Sequence, residues 1–387
     1  MQRRAFITMA AGVPLGALFL QGCSMAGDSS SEATNADISA KADAAIKELE
    51  SKVSAKGPHN ETASPASKVD LTDDEVSKVK AMGATAAIAM HTSGDDWSAA
   101  QIAGLKSEFS RLGIKVLSTT DANFDPNKQV SDIETIMAKS PTILVSIPTD
   151  PVATASTYKA AAAKGTILVF MDNVPNGMSA GKGYLTVVSS DNYGNGQISA
   201  HLLAKALGGK GKVAAIYYEA DYFVTNQRYS GFKAALKASY PDITLVAERG
   251  INGSDLAGAA QKQADALLNQ HSDLKGIWAV WDVPAEGVIA SARTASRSAL
   301  SIATEDLGKN VAIAMAQGQY VYGLGAQQPY NAGITEARAA AKALLKQDVP
   351  AFMALSPLAV TKANLAEAWQ TVYHSAAPTQ VQQALQG

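Results

Sequence analysis

From residue 83 onward, short runs of almost wholly apolar residues alternate with longer stretches in which apolar positions recur every three or four residues. The runs at 84–90, 114–118, 142–146 and 166–170 have strand length and little interior polarity, the pattern of strands buried on both faces. Between them, residues 97–112 and 128–138 carry helical periodicity. The same alternation restarts at 212–217 and continues through 243–246, 277–281 and 300–303. Each right-handed crossover returns the chain to the same sheet direction, so the pattern predicts an α/β fold of two doubly wound, parallel-sheet lobes. Trp278 falls inside a run and is expected in the core, Trp281 at its end is expected near a ligand, and Trp369 is expected to pack.

In open sheets of this kind ligands bind beyond the carboxyl ends of the strands. The residues found there are polar and planar: His91 to Trp97 after the first run, Pro148-Thr149-Asp150-Pro151 after the third and Asp172-Asn173 after the fourth. The second lobe offers Asp221-Tyr222-Phe223 with Asn226 and Arg228, then Trp281-Asp282, Glu305-Asp306 and Ala326-Gln327-Gln328-Pro329. Carboxylates and carboxamides suit hydroxyl groups, and aromatic faces cover C–H patches, so the set points to a small polar organic ligand of sugar type. Arg228 is expected to tie its lobe together by pairing with an acid.

Ahead of residue 83 the pattern changes. Arg3 and Arg4 precede an apolar stretch over 9–20 and then Leu18-Phe19-Leu20-Gln21-Gly22-Cys23, which resembles a bacterial lipobox. This reads as a signal peptide over 1–22, with Cys23 the lipidation site and a twin-arginine export signal as an alternative to the general route. Residues 23–67 are rich in Ser, Ala, Asp, Lys and Glu and are expected to form a polar spacer. Within it Ile38, Ala42, Ile46, Leu49 and Val53 recur at helical spacing, read as a solvated stalk helix. Thr72-Asp73-Asp74-Glu75 is a capping box, near which the folded body is expected to begin.

Composition narrows the partners. The 33 basic and 35 acidic residues give a formal net charge of -2, and no basic block follows the signal, which argues against nucleic acid. The single cysteine allows no internal disulfide. Gly208-Gly209-Lys210-Gly211-Lys212 lacks phosphate-loop spacing and precedes a strand, so it is read as a helix stop and turn. His59, His91, His201, His271 and His374 lack metal-ligand spacing, and no nucleophile elbow occurs, so neither a metal, a cofactor nor catalysis is expected.

Four segments carry a resemblance: Pro148-Thr149-Asp150-Pro151, residues 188–194 (VSSDNYG), residues 226–232 (NQRYSGF) and residues 326–333 (AQQPYNAG). In this order and spacing the body, roughly 83–375, resembles the periplasmic ribose-binding-protein family of ABC-transporter substrate-binding proteins. The resemblance implies the type I periplasmic binding protein fold, with lobes joined by a three-stranded hinge crossed near 188–192, 327–330 and 356–360. It divides the chain into a first lobe of 68–188 plus 328–357, a second of 189–327 plus 358–376, and a tail of 377–387. Implied ligand contacts are His91, Trp97, Asp172, Asn226, Trp281, Asp306 and Gln327. Asn173 and Asn226 stand where ribose binders of the family carry Arg, and Trp281 where they carry Asn, so two cations are lost and an aromatic wall is gained.

The implied function is capture of a small sugar or polyol by a monomeric, lipid-anchored protein outside the cytoplasm, for delivery to an ABC permease and its ATPase subunit. A nucleoside or signal-molecule binder and a sugar-sensing receptor domain share these features. A surface glycoside hydrolase using Asp172 and Asp306 as its carboxylate pair is the enzymatic alternative.

Overall fold

The computed structural model describes residues 34–387. The first lobe holds β1 (Thr85–Met90), β2 (Lys115–Asp121), β3 (Ile143–Ser146), β4 (Ile167–Met171) and β5 (Thr186–Ser190). The second holds β6 (Gly211–Tyr218), β7 (Ile243–Ile251), β8 (Leu274–Ala279), β9 (Ser301–Glu305) and β10 (Val321–Ala326). The last strands, β11 (Phe352–Leu355) and β12 (Leu358–Thr361), go one to each lobe. The sheet orders are β11-β5-β4-β3-β1-β2 and β12-β10-β9-β8-β6-β7, the same winding twice. Neighbouring strands are parallel except β12, which runs antiparallel to β10.

Both faces of each sheet are covered, and the side-chain alternation shows it. In β1, Ala86, Ile88 and Met90 enter one apolar cluster while Ala87 and Ala89 enter the cluster on the opposite face. In β6, Ala214 and Ile216 divide from Val213 and Ala215 in the same way. Trp278 is fully buried in β8, stacked on Phe232 at 4.8 Å, and Trp369 lies in the second lobe's core. Strand β8 begins at Leu274, earlier than the apolar run at 277–281, because Leu274 pairs with Lys212 of β6. It ends before Trp281, which stands as the extended N-cap residue of helix Asp282–Thr294.

Three passages join the lobes: Asp191 between β5 and helix Asn192–Ala206, Gln327 and Gln328 between β10 and helix Pro329–Leu344, and Ser356-Pro357 between β11 and β12. Asp191 caps helix Asn192–Ala206 through the Gly194 N–H at 2.7 Å. The Gln328 amide donates to the Ser356 carbonyl at 3.1 Å, tying two of the passages together.

The polar spacer expected over 23–67 is corrected for its described part. Helix Asn35–Glu50, opened by a Thr34/Asp37 capping box, buries Ala42, Ile46 and Leu49. Ile46 and Leu49 join Ile198 and Leu202 of helix Asn192–Ala206 and Ala359 of β12. The chain then runs along the hinge: the Ser54 N–H and hydroxyl both donate to the Asp191 carboxylate, at 2.5 and 2.9 Å. On the first lobe Ser64 bonds to both Phe352 and Ala354 around β11. Average polarity hid this, since three small or branched apolar residues on one stripe suffice to dock a helix whose other faces are wet. Cys23 and the signal peptide expected over 1–22 lie outside the described residues.

The tail expected over 377–387 is likewise structured. Helix Thr379–Gln386 buries Val381 in the second lobe's core. The Thr72/Glu75 capping box is present at the start of helix Asp73–Ala81, with Glu75 further held by Lys342 and Gln347.

Candidate functional site

A cavity of about 110 Å³ lies between the lobes, walled by residues that leave the sheets at strand ends. At about 10–15 Å³ per water-sized group it has room for roughly seven to eleven such groups. The first lobe contributes His91, Asp95 and Trp97 after β1, Phe124 after β2, and Asp172 and Asn173 after β4. The second contributes Tyr218 and Tyr222 after β6, Arg228 from helix Phe223–Ser239, Trp281 and Asp282 after β8, and Asp306 after β9. Gln327, in the hinge passage after β10, completes it.

Asp172 and Asp306 occupy matching places in the two lobes. Each follows its strand with positive φ, 53° and 60°, and each donates its backbone N–H to the next strand, to Val188 and Gly325 respectively. Aspartate tolerates this left-handed backbone better than most residues, and the strain persists because the adjoining strand holds the turn. The Asp172 carboxylate accepts from Ser189 at 2.6 Å. Burial pushes its pKa up to about 6.

Arg228 is buried and grips Asp306 with both terminal nitrogens, at 2.8 and 3.1 Å, while its Nε donates to Asn192 at 3.0 Å. A chain of hydrogen bonds continues across the hinge: the Gln327 amide donates to Asn192 at 3.0 Å, and Trp97 donates to Gln327 at 2.8 Å. The expected acid partner of Arg228 is therefore Asp306, and the pair itself forms part of the cavity wall. Gly196 makes the geometry possible, since a Cβ there would stand 2.0 Å from the Arg228 carbonyl.

Rings line both sides. Trp281 meets Tyr218 edge-on at 5.4 Å, and Tyr218 lies 5.6 Å from Tyr222. Opposite, His91 contacts Trp97 and Phe124 edge-on at 5.9 and 4.9 Å. Burial lowers the His91 pKa to about 4, so the ring is neutral near pH 7. Away from the cavity, Asp96 of the first lobe reaches the second, accepting the Lys309 N–H at 2.7 Å and capping helix Lys309–Ala316 from outside its own lobe.

Of the residues singled out from sequence, His91, Trp97, Asp172, Trp281, Asp306 and Gln327 meet in this cavity. Asn226 does not: its amide donates to Asp221 at 2.8 Å, and it borders a separate cavity of about 390 Å³. On a helix, residues two apart point away from each other, so turning Arg228 inward turns Asn226 out. Asp95, Phe124, Tyr218, Tyr222 and Asp282 were not singled out. All but Phe124 and Tyr218 lay in the strand-end clusters, and which member of a cluster faces inward depends on how the two lobes meet.

With this geometry in view, comparison with known proteins assigns the family. A family model described as a periplasmic binding protein domain matches residues 86–348. The chain belongs to that family. It is 28% identical over 227 residues to the ribose import binding protein of Bacillus subtilis, covering 58% of this chain and 70% of that protein. It is 27% identical over 175 residues to the D-apiose import binding protein of Paraburkholderia graminis, covering 45% and 54%. An ABC transporter solute-binding protein from Mycobacterium smegmatis with bound glycerol superimposes with a TM-score of 0.66 at 26% identity, over 74% of this chain and 96% of that one. A solute-binding protein from Agrobacterium vitis bound to α-D-tagatopyranose gives 0.68 at 23% identity, over 75% and 99%. The fold is that of the type I periplasmic binding proteins, a family associated with transport outside the cytoplasm.

Proposed function

We propose that this protein captures a monosaccharide or polyol between its lobes and presents it to the permease of an ABC transporter, whose ATPase subunit drives import. The observation that carries this reading is a cavity walled from both lobes by carboxylates, amides and aromatic rings, beside three hinge passages. The relatives named for ribose and D-apiose import, and the fold neighbours holding glycerol and tagatopyranose, support it.

Mechanism follows from the division of the walls. With the lobes apart, a sugar meets Asp172 and Asn173 on one side or Asp282, Asp306 and Trp281 on the other. Only the closed form offers both sets, so bound sugar shifts the population toward closure. The hydrogen-bonded chain from Trp97 through Gln327 and Asn192 to Arg228 links that closure to the hinge. Binding and release complete the cycle, and the role given to this chain contains no bond-making step. It acts as a monomer, held to a bacterial membrane through lipid on Cys23.

A thermal-shift screen of pentoses, hexoses, polyols and nucleosides tests the reading. A sugar or polyol at about 100 times its dissociation constant should add ~2.7 kcal/mol of stability. Stabilisation by nucleosides alone would overturn it. For the anchor, Cys23→Ser should leave ligand binding unchanged and release the protein from membranes; continued sedimentation with membranes would remove Cys23 from that role.

A further inference from the structure

The cavity is short of positive charge. Four carboxylates, Asp95, Asp172, Asp282 and Asp306, face it against one guanidinium, Arg228. That guanidinium is already committed to Asp306 by two hydrogen bonds. His91 is neutral because of its burial. Asp95 accepts the Ser98 N–H of its own helix at 2.7 Å. Burial raises the Asp282 pKa well above the usual carboxylate range, and the neighbouring acids Asp306, Asp95 and Glu286 raise it further. Asp95 belongs to the first lobe and Asp282 to the second, so the closed cleft brings two carboxyl groups toward each other, and burial favours their holding protons.

Among the described residues no group of three or more His, Cys, Asp or Glu side chains is placed to hold a metal ion. A second feature asks for a donor: Asn173 is 4% exposed, lines the same wall, and its Oδ1 has no hydrogen-bond partner.

Resting on the sugar-capture reading, we propose that the ligand is an amine-bearing polyhydroxylated molecule, an amino sugar or amino polyol, whose ammonium group sits between Asp95 and Asp282. An ammonium group brings three donors and no acceptor, which matches walls dominated by acceptors. Its hydrogen bonds to carboxylates are charge-assisted and roughly twice as strong as neutral ones. Trp281, Tyr218 and Trp97 line the same space, and ring faces attract cations as well as C–H groups. A neutral sugar can donate to these acceptors but brings no positive charge to favour the ionised form of both carboxyl groups.

Calorimetry on the full chain at pH 6.5 tests this with glucosamine, galactosamine and mannosamine, each beside its parent hexose. At least one amine should bind tenfold or more tighter than its parent. In Asp95→Asn and in Asp282→Asn the ratio of amine to hexose affinity should fall at least fivefold, whatever happens to the absolute affinities. A hexose that binds as tightly as its amine, or a ratio unchanged in both variants, overturns the inference while leaving sugar capture standing. Failure of all amines, hexoses, pentoses and polyols to bind overturns the sugar reading and this inference with it.

Discussion

Asp306 carries two duties that pull in different directions, pairing with Arg228 and facing the cavity. Asp306→Ala would leave a buried guanidinium without its partner, and breaking a buried pair costs about 3–5 kcal/mol, so this variant should melt several degrees lower. Trp281 is only partly buried and serves mainly as a wall, so Trp281→Ala should weaken ligand binding at least tenfold with a much smaller loss of stability. Calorimetry and thermal melting on the two variants separate the roles; equal stability loss in both would mean that Trp281 is a packing residue. Glu305, fully buried behind Asp306, has burial pushing its pKa from 4.5 to about 8, and its Oε2 has no partner. A folded pKa raised above the unfolded one means stability is fully present below about pH 4.5 and is lost as pH rises through about 8. Glu305→Gln should remove that loss, narrowing the fall in melting temperature between pH 5 and pH 9. An equally steep fall in the variant would assign the alkaline loss to other groups.

The element that most changes the picture is helix Asn35–Glu50 with the segment after it. It packs on the second lobe, bonds to the Asp191 hinge passage and ends against β11 of the first lobe. The fold neighbours cover about three quarters of this chain while nearly the whole of each neighbour is matched, so the chain has sequence beyond the shared fold. Ile46→Ala with Leu49→Ala removes most of the buried stripe of a 16-residue helix, which is too short to persist in water without its packing. Limited proteolysis should then cut within 35–64 while the two lobes stay intact. An uncut segment would mean that the contacts of Ser54 with the hinge and of Ser64 with β11 suffice to hold it. Glycine sets the spacing elsewhere: Gly196 and Gly231 each bring helices Asn192–Ala206 and Phe223–Ser239 to backbone contact, at 2.0 and 2.1 Å for a hypothetical Cβ. That closeness is what fixes the position of Arg228.

At the scale of the whole molecule, the contact of Asp96 with the first turn of helix Lys309–Ala316 is one that only a closed cleft can make. A cap of this kind contributes about 1 kcal/mol. Solution scattering should show the radius of gyration falling when saturating ligand is added. Asp96→Ala should raise the ligand concentration needed for that change about fivefold, without altering the final radius. A radius indifferent to bound ligand would argue for a rigid site.

The α/β class, the doubling of the lobes and a cavity at the strand ends were legible in the sequence because they depend on local periodicity. Buried strands must read as apolar runs, and crossover helices as three-to-four repeats. Asp172 and Asp306 were singled out through the family resemblance, since an acid just past a strand more commonly caps a turn or helix; the structure places both on the cavity wall. The sequence did not decide which neighbour faces inward. Arg228 and Asn226 look alike at that level, and the choice was made by the rotation of one helix against Gly196. Nor did it decide the fate of residues 34–67: a weak apolar stripe becomes a docked helix only where a matching groove exists, and Ile198, Leu202 and Ala359, brought together from distant parts of the chain, supply that groove. The imbalance of charge belongs to tertiary structure as well. Asp95 and Asp282 are 187 positions apart in a chain of net charge -2, and they oppose each other only because the two lobes fold toward one cleft.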